Sequence, residues 1–289
     1  MTPTHTFADR HIAERCARPD AGLLRRILEV RWTSHNFRVS AEHTTMDVAE
    51  QPLVGDLVKT RTIKRTLRRF LGRDGSLAGL RVIDLGCLEG GIALEMARED
   101  MEVLGVEGRA ANFEKCRLLA DYFALPSLRF EHLDVKQLSP ATHGHFDAAL
   151  CLGLLYHLDD PVGFLHTLAT MIRPGGMIFL DTHVAPVDPA TLADCLFREA
   201  LSELTDIAHG AHHYAGRWFH EYDEHAAGSD NEWAAVSNHH SFWPTHEALL
   251  RALYHADFQE IYTLNGCFEI DKELRSRREY SRAWYAAVR

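Results

Sequence analysis

The stretch VIDLGCLEGG, residues 82–91, decides the reading of this chain. A short apolar run enters a turn carrying Gly86, and Gly90 and Gly91 open the segment after it. Glycine at such a turn lets the chain bend tightly and lets a ligand approach the backbone. Asp84 stands near the end of the apolar run. Leu88 occupies the place of the second glycine in a dinucleotide G-x-G, so the dehydrogenase fingerprint G-x-G-x-x-G is absent.

Working outward, short apolar runs alternate with stretches of helical periodicity. Strands are expected over residues 80–85, 102–106, 128–132, 146–152 and 176–181, with helices over 91–99, 110–123 and 162–172. Strands that alternate with helices at this spacing predict a parallel sheet covered on both faces, and the near-continuous apolar runs fit that burial. Glu107 follows the second strand, 23 positions after Asp84, where a carboxylate accepts both hydroxyls of a ribose. Asp134 follows the third strand, in reach of an adenine amino group.

The flanks are less regular. Residues 1–79 read as a mostly helical cap, with one helix started by Asp20 and a second over residues 57–71. The second places Ile63, Leu67, Phe70 and Leu71 on one face and Lys59, Arg61, Lys64, Arg65, Arg68 and Arg69 on the other. That basic face is either a solvated helix surface or an anion contact. After the fifth strand, residues 188–207 read as helix and residues 208–244 as a long polar and aromatic stretch. A helix capped by Thr245 and strands over 259–264 and 281–288 complete the chain. The expected domains are a cap over 1–79 and a catalytic domain over 80–289, with residues 184–244 inserted as a substrate lid.

Composition narrows the partners. The 289 residues are 46% hydrophobic and 25% charged, as in an ordinary globular enzyme. A formal net charge of -10 disfavours a general polyanion binder. The six cysteines, Cys16, Cys87, Cys116, Cys151, Cys195 and Cys267, form no C-x-x-C pair. They fit a reduced, cytoplasmic setting. The beginning of the sequence shows no apolar signal segment, and no apolar run is long enough for a membrane span.

The order VIDLGCLEGG, VLGVEG, LDV, FDAALCLGLLYHL and RPGGMIFLDT resembles the class I S-adenosylmethionine-dependent methyltransferases over roughly residues 80–182. Within that superfamily it is similar to sugar and small-molecule O-methyltransferases of actinobacterial type. More distantly it is similar to the enzymes that modify the wobble uridine of tRNA. The shared features are the GLLYHL stretch beginning at Gly153 and the later F-x-P-T beginning at Phe242. The resemblance implies an α/β, Rossmann-like fold with a seven-stranded, mostly parallel sheet in the order 3-2-1-4-5-7-6, its last strand antiparallel. It implies that Asp84, Gly86, Cys87, Leu88 and Gly90 flank the methionine part of the cofactor. Glu107 and Gly108 would hold the ribose, Asp134 and Val135 would flank the adenine, and Gly153 would close the site.

Methyl transfer to an alcohol needs alignment and a proton acceptor, most often His. His157 and His183 follow the fourth and fifth strands, so both are candidate bases, with Tyr156 positioning acceptor or cofactor. Trp218, His239 and His240 in the insertion, and Trp32 and His35 near the N-terminus, are candidate acceptor contacts. Asp160 and Asp181 are candidate ligands for Mg2+, which some sugar O-methyltransferases use. The aromatic, acidic and amide-rich insertion suits a sugar or oligosaccharide acceptor. The alternatives are a tRNA-modifying methyltransferase reached through the basic helix, and a non-catalytic cofactor-binding module. Nucleic acid is the less favoured partner, a membrane is not expected, and a homodimer is open.

Overall fold

The computed structural model describes residues 20–222, 234–265 and 270–289. Cys16, Cys267 and residues 223–233 of the expected lid lie outside the described residues. Among the described residues there are ten strands: β1 (Arg81–Leu85), β2 (Glu102–Glu107), β3 (Leu128–His132), β4 (Phe146–Leu152), β5 (Ile172–His183), β6 (Thr205–His209), β7 (His212–His220), β8 (His240–Pro244), β9 (Glu260–Thr263) and β10 (Arg282–Val288). Seven of them form one sheet in the order β3-β2-β1-β4-β5-β10-β9. With β6, β7 and β8 set aside, this is the expected order 3-2-1-4-5-7-6. The pairs β1–β4, β4–β5 and β2–β3 are parallel, whereas β10 runs antiparallel to β5 and β9. β1, β2 and β4 are buried almost throughout, as their unbroken apolar runs require, whereas the edge strand β3 is largely half-buried or exposed.

The chain folds as two compact units. The first comprises Met1–Leu80 with Cys87–His132. Asp20 starts its first helix, Ala21–Glu29, by accepting the Gly22 N–H at 2.6 Å. The expected basic helix is Val58–Phe70, but its faces are divided differently from the expectation. Lys64 is buried and bonds Glu95 at 3.1 Å and Glu99 at 3.3 Å, and Arg68 bonds Glu99 at 2.5 Å. Two of the six cations expected to face a polyanion are thus held by carboxylates of the same unit, and Phe70 is exposed. Residues 30–57, between the two expected helices, form isolated bridges, Asn36 with Leu53 and Arg38 with Thr44, and one short 3-10 turn.

The second unit comprises Arg81–Gly86 with Leu133–Arg289. Its helix Pro161–Met171 begins with a proline at the first turn, and Asp160 accepts the Gly163 N–H at 2.8 Å. Helix His246–His255 is capped by Thr245, as the sequence predicts. The inserted segment departs from the expectation. Only Pro189–Asp194 and a 3-10 turn at Arg198–Ala200 are helical within residues 188–207. Beyond them β6, β7 and β8 form a separate antiparallel sheet in the order β6-β7-β8. Aromatic side chains stand at consecutive positions, Trp218 with Phe219 and Phe242 with Trp243, so the pleat sends one of each pair to each face of the sheet.

Candidate active site

In the first unit, β2 ends on Glu107, whose carboxylate is 5% exposed. Its Oε2 accepts the Leu88 N–H at 2.9 Å and its Oε1 the Arg109 N–H at 2.8 Å. Burial raises the Glu107 carboxyl above its ordinary range, and these two bonds oppose the rise. Leu88 adopts the left-handed conformation, φ +54°, that the glycine of a G-x-G would adopt without strain. The glycine turn therefore keeps its shape with a leucine in it. Gly90 cannot be exchanged in the same way, because φ is +76° and a Cβ would lie 2.7 Å from the Phe130 ring. The Gly108 carbonyl accepts from His132 Nε2 at 3.1 Å when that nitrogen is protonated.

Glu89, in the same turn, is fully buried and holds a loop in place. It accepts the Thr33 N–H at 2.8 Å, the Thr33 hydroxyl at 3.0 Å, the Ser34 N–H at 3.1 Å and the His35 N–H at 2.8 Å. Lys115 bonds it at 2.6 Å. Burial works against its charge, but Lys115 and the backbone donors outweigh burial and keep the carboxyl below its usual range. His35 accepts the Gly91 N–H on Nδ1 at 3.1 Å. Burial, reinforced by Lys59 and Lys115 against Glu89, brings its pKa down to about 4. His35 is thus a hydrogen-bond acceptor within the turn. Trp32 is 5% exposed, donates to the Ile27 carbonyl at 2.8 Å and packs edge-on against Phe37.

In the second unit, Asp84 is buried on β1, and Gly86 (φ +63°) and Gly153 (φ +81°) follow β1 and β4. A side chain at Gly153 would meet the Arg282 guanidinium at 3.5 Å and the Tyr156 hydroxyl at 3.6 Å. Asp134 accepts the Lys136 N–H at 3.0 Å beside the buried Val135.

The strand ends carry an aromatic and ionic constellation. The Tyr156 ring lies 4.2 Å from both the His157 and His183 rings, centroid to centroid. His183 is 4% exposed, stacks on Trp243 at 4.5 Å, and faces the Tyr280 carbonyl through Nδ1 at 2.5 Å. A carbonyl only accepts, so Nδ1 carries the proton. Burial, with Arg282 nearby, lowers the His183 pKa to about 3. His157 is the more open ring, and its Nδ1 faces Glu221 at 2.9 Å from Oε1 and 3.1 Å from Oε2.

Asp181 and Asp160 were expected as metal ligands, and both are committed elsewhere. Arg282 grips both Asp181 oxygens, one at 2.8 Å, and Asp160 caps its helix. Burial works against the Arg282 charge, but Asp181 and Tyr156 hold its proton more firmly. Among the described residues no group of three or more His, Cys, Asp or Glu side chains is placed to hold a metal ion.

The insertion places the three remaining residues expected from sequence on and beside the β7–β8 pair. Trp218 packs against Phe242 at 5.2 Å, and His240 pairs with His220 at 3.1 Å, on one face of the β7–β8 pair. The opposite face carries Phe219, Ser241 and Trp243, and it is this face that meets His183 and Glu221. His239 is exposed and lies 4.8 Å from Tyr222. Glu221, Arg282, Ser241 and Trp243 were not singled out from sequence. The signal for Glu221 was its place one residue beyond a strand, on the same alternate face as Phe219.

Within the first unit the buried Glu107 carboxylate at the end of β2 is a hydrogen-bond acceptor suited to the hydroxyls of a nucleoside; within the second unit Gly86 and Gly153 keep side chains away from the backbone. Topology and turns together define the class I S-adenosylmethionine-dependent methyltransferase fold. The chain belongs to the family described as methyltransferase domain, whose model matches residues 58–263. Among solved structures it is similar to the N-terminal domain of EvdMO1 with SAH bound: 22% identical, TM-score 0.64, covering 92% of this chain and 94% of that one. The same domain in the presence of SAH and D-fucose aligns at 21% identity and TM-score 0.64, covering 99% and 98%. The ubiquinone biosynthesis O-methyltransferase of Acinetobacter baylyi is 32% identical over 108 residues, 37% of this chain and 45% of that protein. That of Alkalilimnicola ehrlichii is 33% identical over 37% and 43%. The chain thus matches less than half the length of these curated relatives. Among the described residues no helix is long and apolar enough to cross a membrane.

Proposed function

We propose that this chain transfers a methyl group from S-adenosylmethionine to a hydroxyl of a sugar or comparable polar small molecule, with His157 as general base. When bound, the cofactor supplies a methyl carbon on a positively charged sulfur, whose S–C bond breaks as the new O–C bond forms. Glu107 would accept the ribose hydroxyls, Asp134 would read the adenine amino group, and Asp84, Gly86, Cys87, Leu88 and Gly153 would border the methionine portion.

The contrast between the two histidines carries the choice of base. His183 is closed in by Trp243 and Tyr156 and has a pKa near 3, which makes it a poor proton acceptor near neutrality. His157 keeps 16% of its side chain exposed and has a carboxylate at its far nitrogen. The half-buried Phe197 and Phe219 beside Trp243 offer ring faces, while Tyr156 and Arg282 offer donors, a combination suited to a hydroxylated ring. The names of the Acinetobacter and Alkalilimnicola relatives support an oxygen acceptor.

The test is transfer of labelled methyl from S-adenosylmethionine into cell-extract fractions, with and without RNase and EDTA. Label in an RNase-resistant small-molecule or carbohydrate fraction that persists in EDTA is expected. Label that disappears with RNase would overturn the acceptor class. His157→Gln is expected to lower turnover by about 10²-fold or more, against a much smaller loss for His183→Gln.

A further inference from the structure

We infer that Glu221 is a positioning residue that determines which nitrogen of His157 carries the proton. The inference rests on the reading of His157 as base. The Glu221 carboxylate is 1% exposed and lies immediately after β7. Besides His157 Nδ1, it accepts the Ser241 hydroxyl at 2.7 Å on Oε1 and the Ala235 N–H at 3.0 Å on Oε2. An ionised carboxylate only accepts hydrogen bonds, so the nitrogen facing it must carry a proton. In the neutral ring that leaves the lone pair on Nε2, at the far side from Glu221.

The backbone that carries the ring is fixed from two sides. Asn238 donates to the His157 carbonyl at 3.0 Å, and Trp243 Nε1 donates to the Tyr156 carbonyl at 2.9 Å. Asn238 is itself held by Lys136 at 3.2 Å and by the His240 carbonyl at 2.8 Å. The turn that carries His157 and the sheet that carries Glu221 and Ser241 therefore form one rigid support. During transfer the acceptor hydroxyl gives its proton to His157 Nε2 while its oxygen gains the methyl carbon. The imidazolium so formed faces Glu221, and the pair becomes neutral. With any other tautomer a proton would occupy the place where the base needs its lone pair.

Replacing the carboxylate should reverse this. In Glu221→Gln the carbonyl oxygen is drawn to the fixed Ala235 N–H, which turns the amide NH2 toward Ser241 and His157 Nδ1. A donor there favours Nδ1 without its proton.

The experiment is nitrogen-15 NMR of histidine-labelled protein at a pH where the ring is neutral, with the His157 signals assigned by their loss in His157→Gln. The expected result is Nδ1–H in the wild type, Nε2–H predominating in Glu221→Gln and Glu221→Leu, and Nδ1–H regained in Glu221→Asp. With the acceptor recovered from the labelled fraction, kcat should fall about 10²-fold or more in Glu221→Gln while KM for both substrates stays within twofold. An unchanged tautomer in Glu221→Gln would overturn the inference even if His157→Gln is inactive. Wild-type kcat in His157→Gln would instead overturn the base assignment, and the tautomer measurement would still report on Glu221.

Discussion

Glu89→Gln is a severe test of how the first unit holds its glycine turn. The exchange keeps the volume and removes the charge. Glu89 is fully buried, and its two oxygens serve three backbone N–H groups, one hydroxyl and one ammonium. An amide has only one acceptor oxygen. If that oxygen keeps Lys115 and Thr33, the NH2 group faces the N–H groups of Ser34 and His35. Two buried donors then lose their acceptor, at about 1–3 kcal/mol each, and Lys115 loses its counter-charge. The expected loss is about 3–5 kcal/mol, the range for breaking a buried ion pair from one side. That is a large fraction of the ~5–15 kcal/mol that holds a typical domain folded. Urea unfolding followed by far-UV circular dichroism measures it, with Lys115→Met and the double variant closing the cycle. The double variant should recover part of the loss, because the ammonium is no longer stranded. Glu89 also makes a pH prediction. Its carboxyl lies below its ordinary value, so its contribution is full above about pH 4.3 and is lost as pH falls through the lower folded-state value. The gap between wild type and Glu89→Gln should therefore narrow under acid. A loss under about 1 kcal/mol at pH 7, or a gap that widens in acid, would refute this account of the turn.

Further measurements bear on the rest of the molecule. Glu107→Ala should weaken S-adenosylhomocysteine binding about 10²-fold or more by calorimetry, whereas His157→Gln should leave it within a few-fold; equal affinity in Glu107→Ala would remove Glu107 from the cofactor site. Asp181→Asn should cost about 3 kcal/mol or more in chemical unfolding, because it leaves the Arg282 guanidinium without its bidentate partner. His183 and His35 have folded-state pKa values of about 3 and 4, below the ordinary ~6.5. The unfolded chain therefore binds more protons, so the stability these groups contribute is full above about pH 6.5 and falls as pH drops toward 4. A thermal unfolding series from pH 7 to 4.5 should show this decline, and it should be shallower in His183→Phe.

The residues that made the sheet legible are those whose burial is dictated by period. The apolar runs at Val82 and Val103, and the run from Phe146 to Leu152, could only be buried strands, and the structure places them so. The helix starts at Asp20 and Thr245 were legible because capping is local chemistry. Residues 188–207 misled because the helical spacing of Leu192, Leu196 and Leu204 mimics an amphipathic helix. In the structure Leu196 and Leu204 are exposed and the chain turns away after Asp194. The facing of the insertion's side chains was not legible: Trp218 and Phe219 are neighbours, and only the partner strand decides which of them meets Trp243. Glu221 escaped notice because its meaning lies in contacts 64 and 20 residues away, to His157 and Ser241.

The two faces of the β7–β8 pair have a consequence for how this protein can change. One face presents Phe219, Ser241 and Trp243, and the other His220, His240 and Phe242. Side chains on one face can be exchanged without disturbing the other, so acceptor preference is open to drift by point substitution. Length is a different matter. One residue gained or lost within either strand would turn its remaining side chains over, bringing Trp218 and His220 where Phe219 and Glu221 now stand. Variant libraries aimed at new acceptors should randomise identity at these positions and hold the residue count constant, whereas the Gly210 hairpin tip between β6 and β7 is the place where additions of sequence should be tolerated.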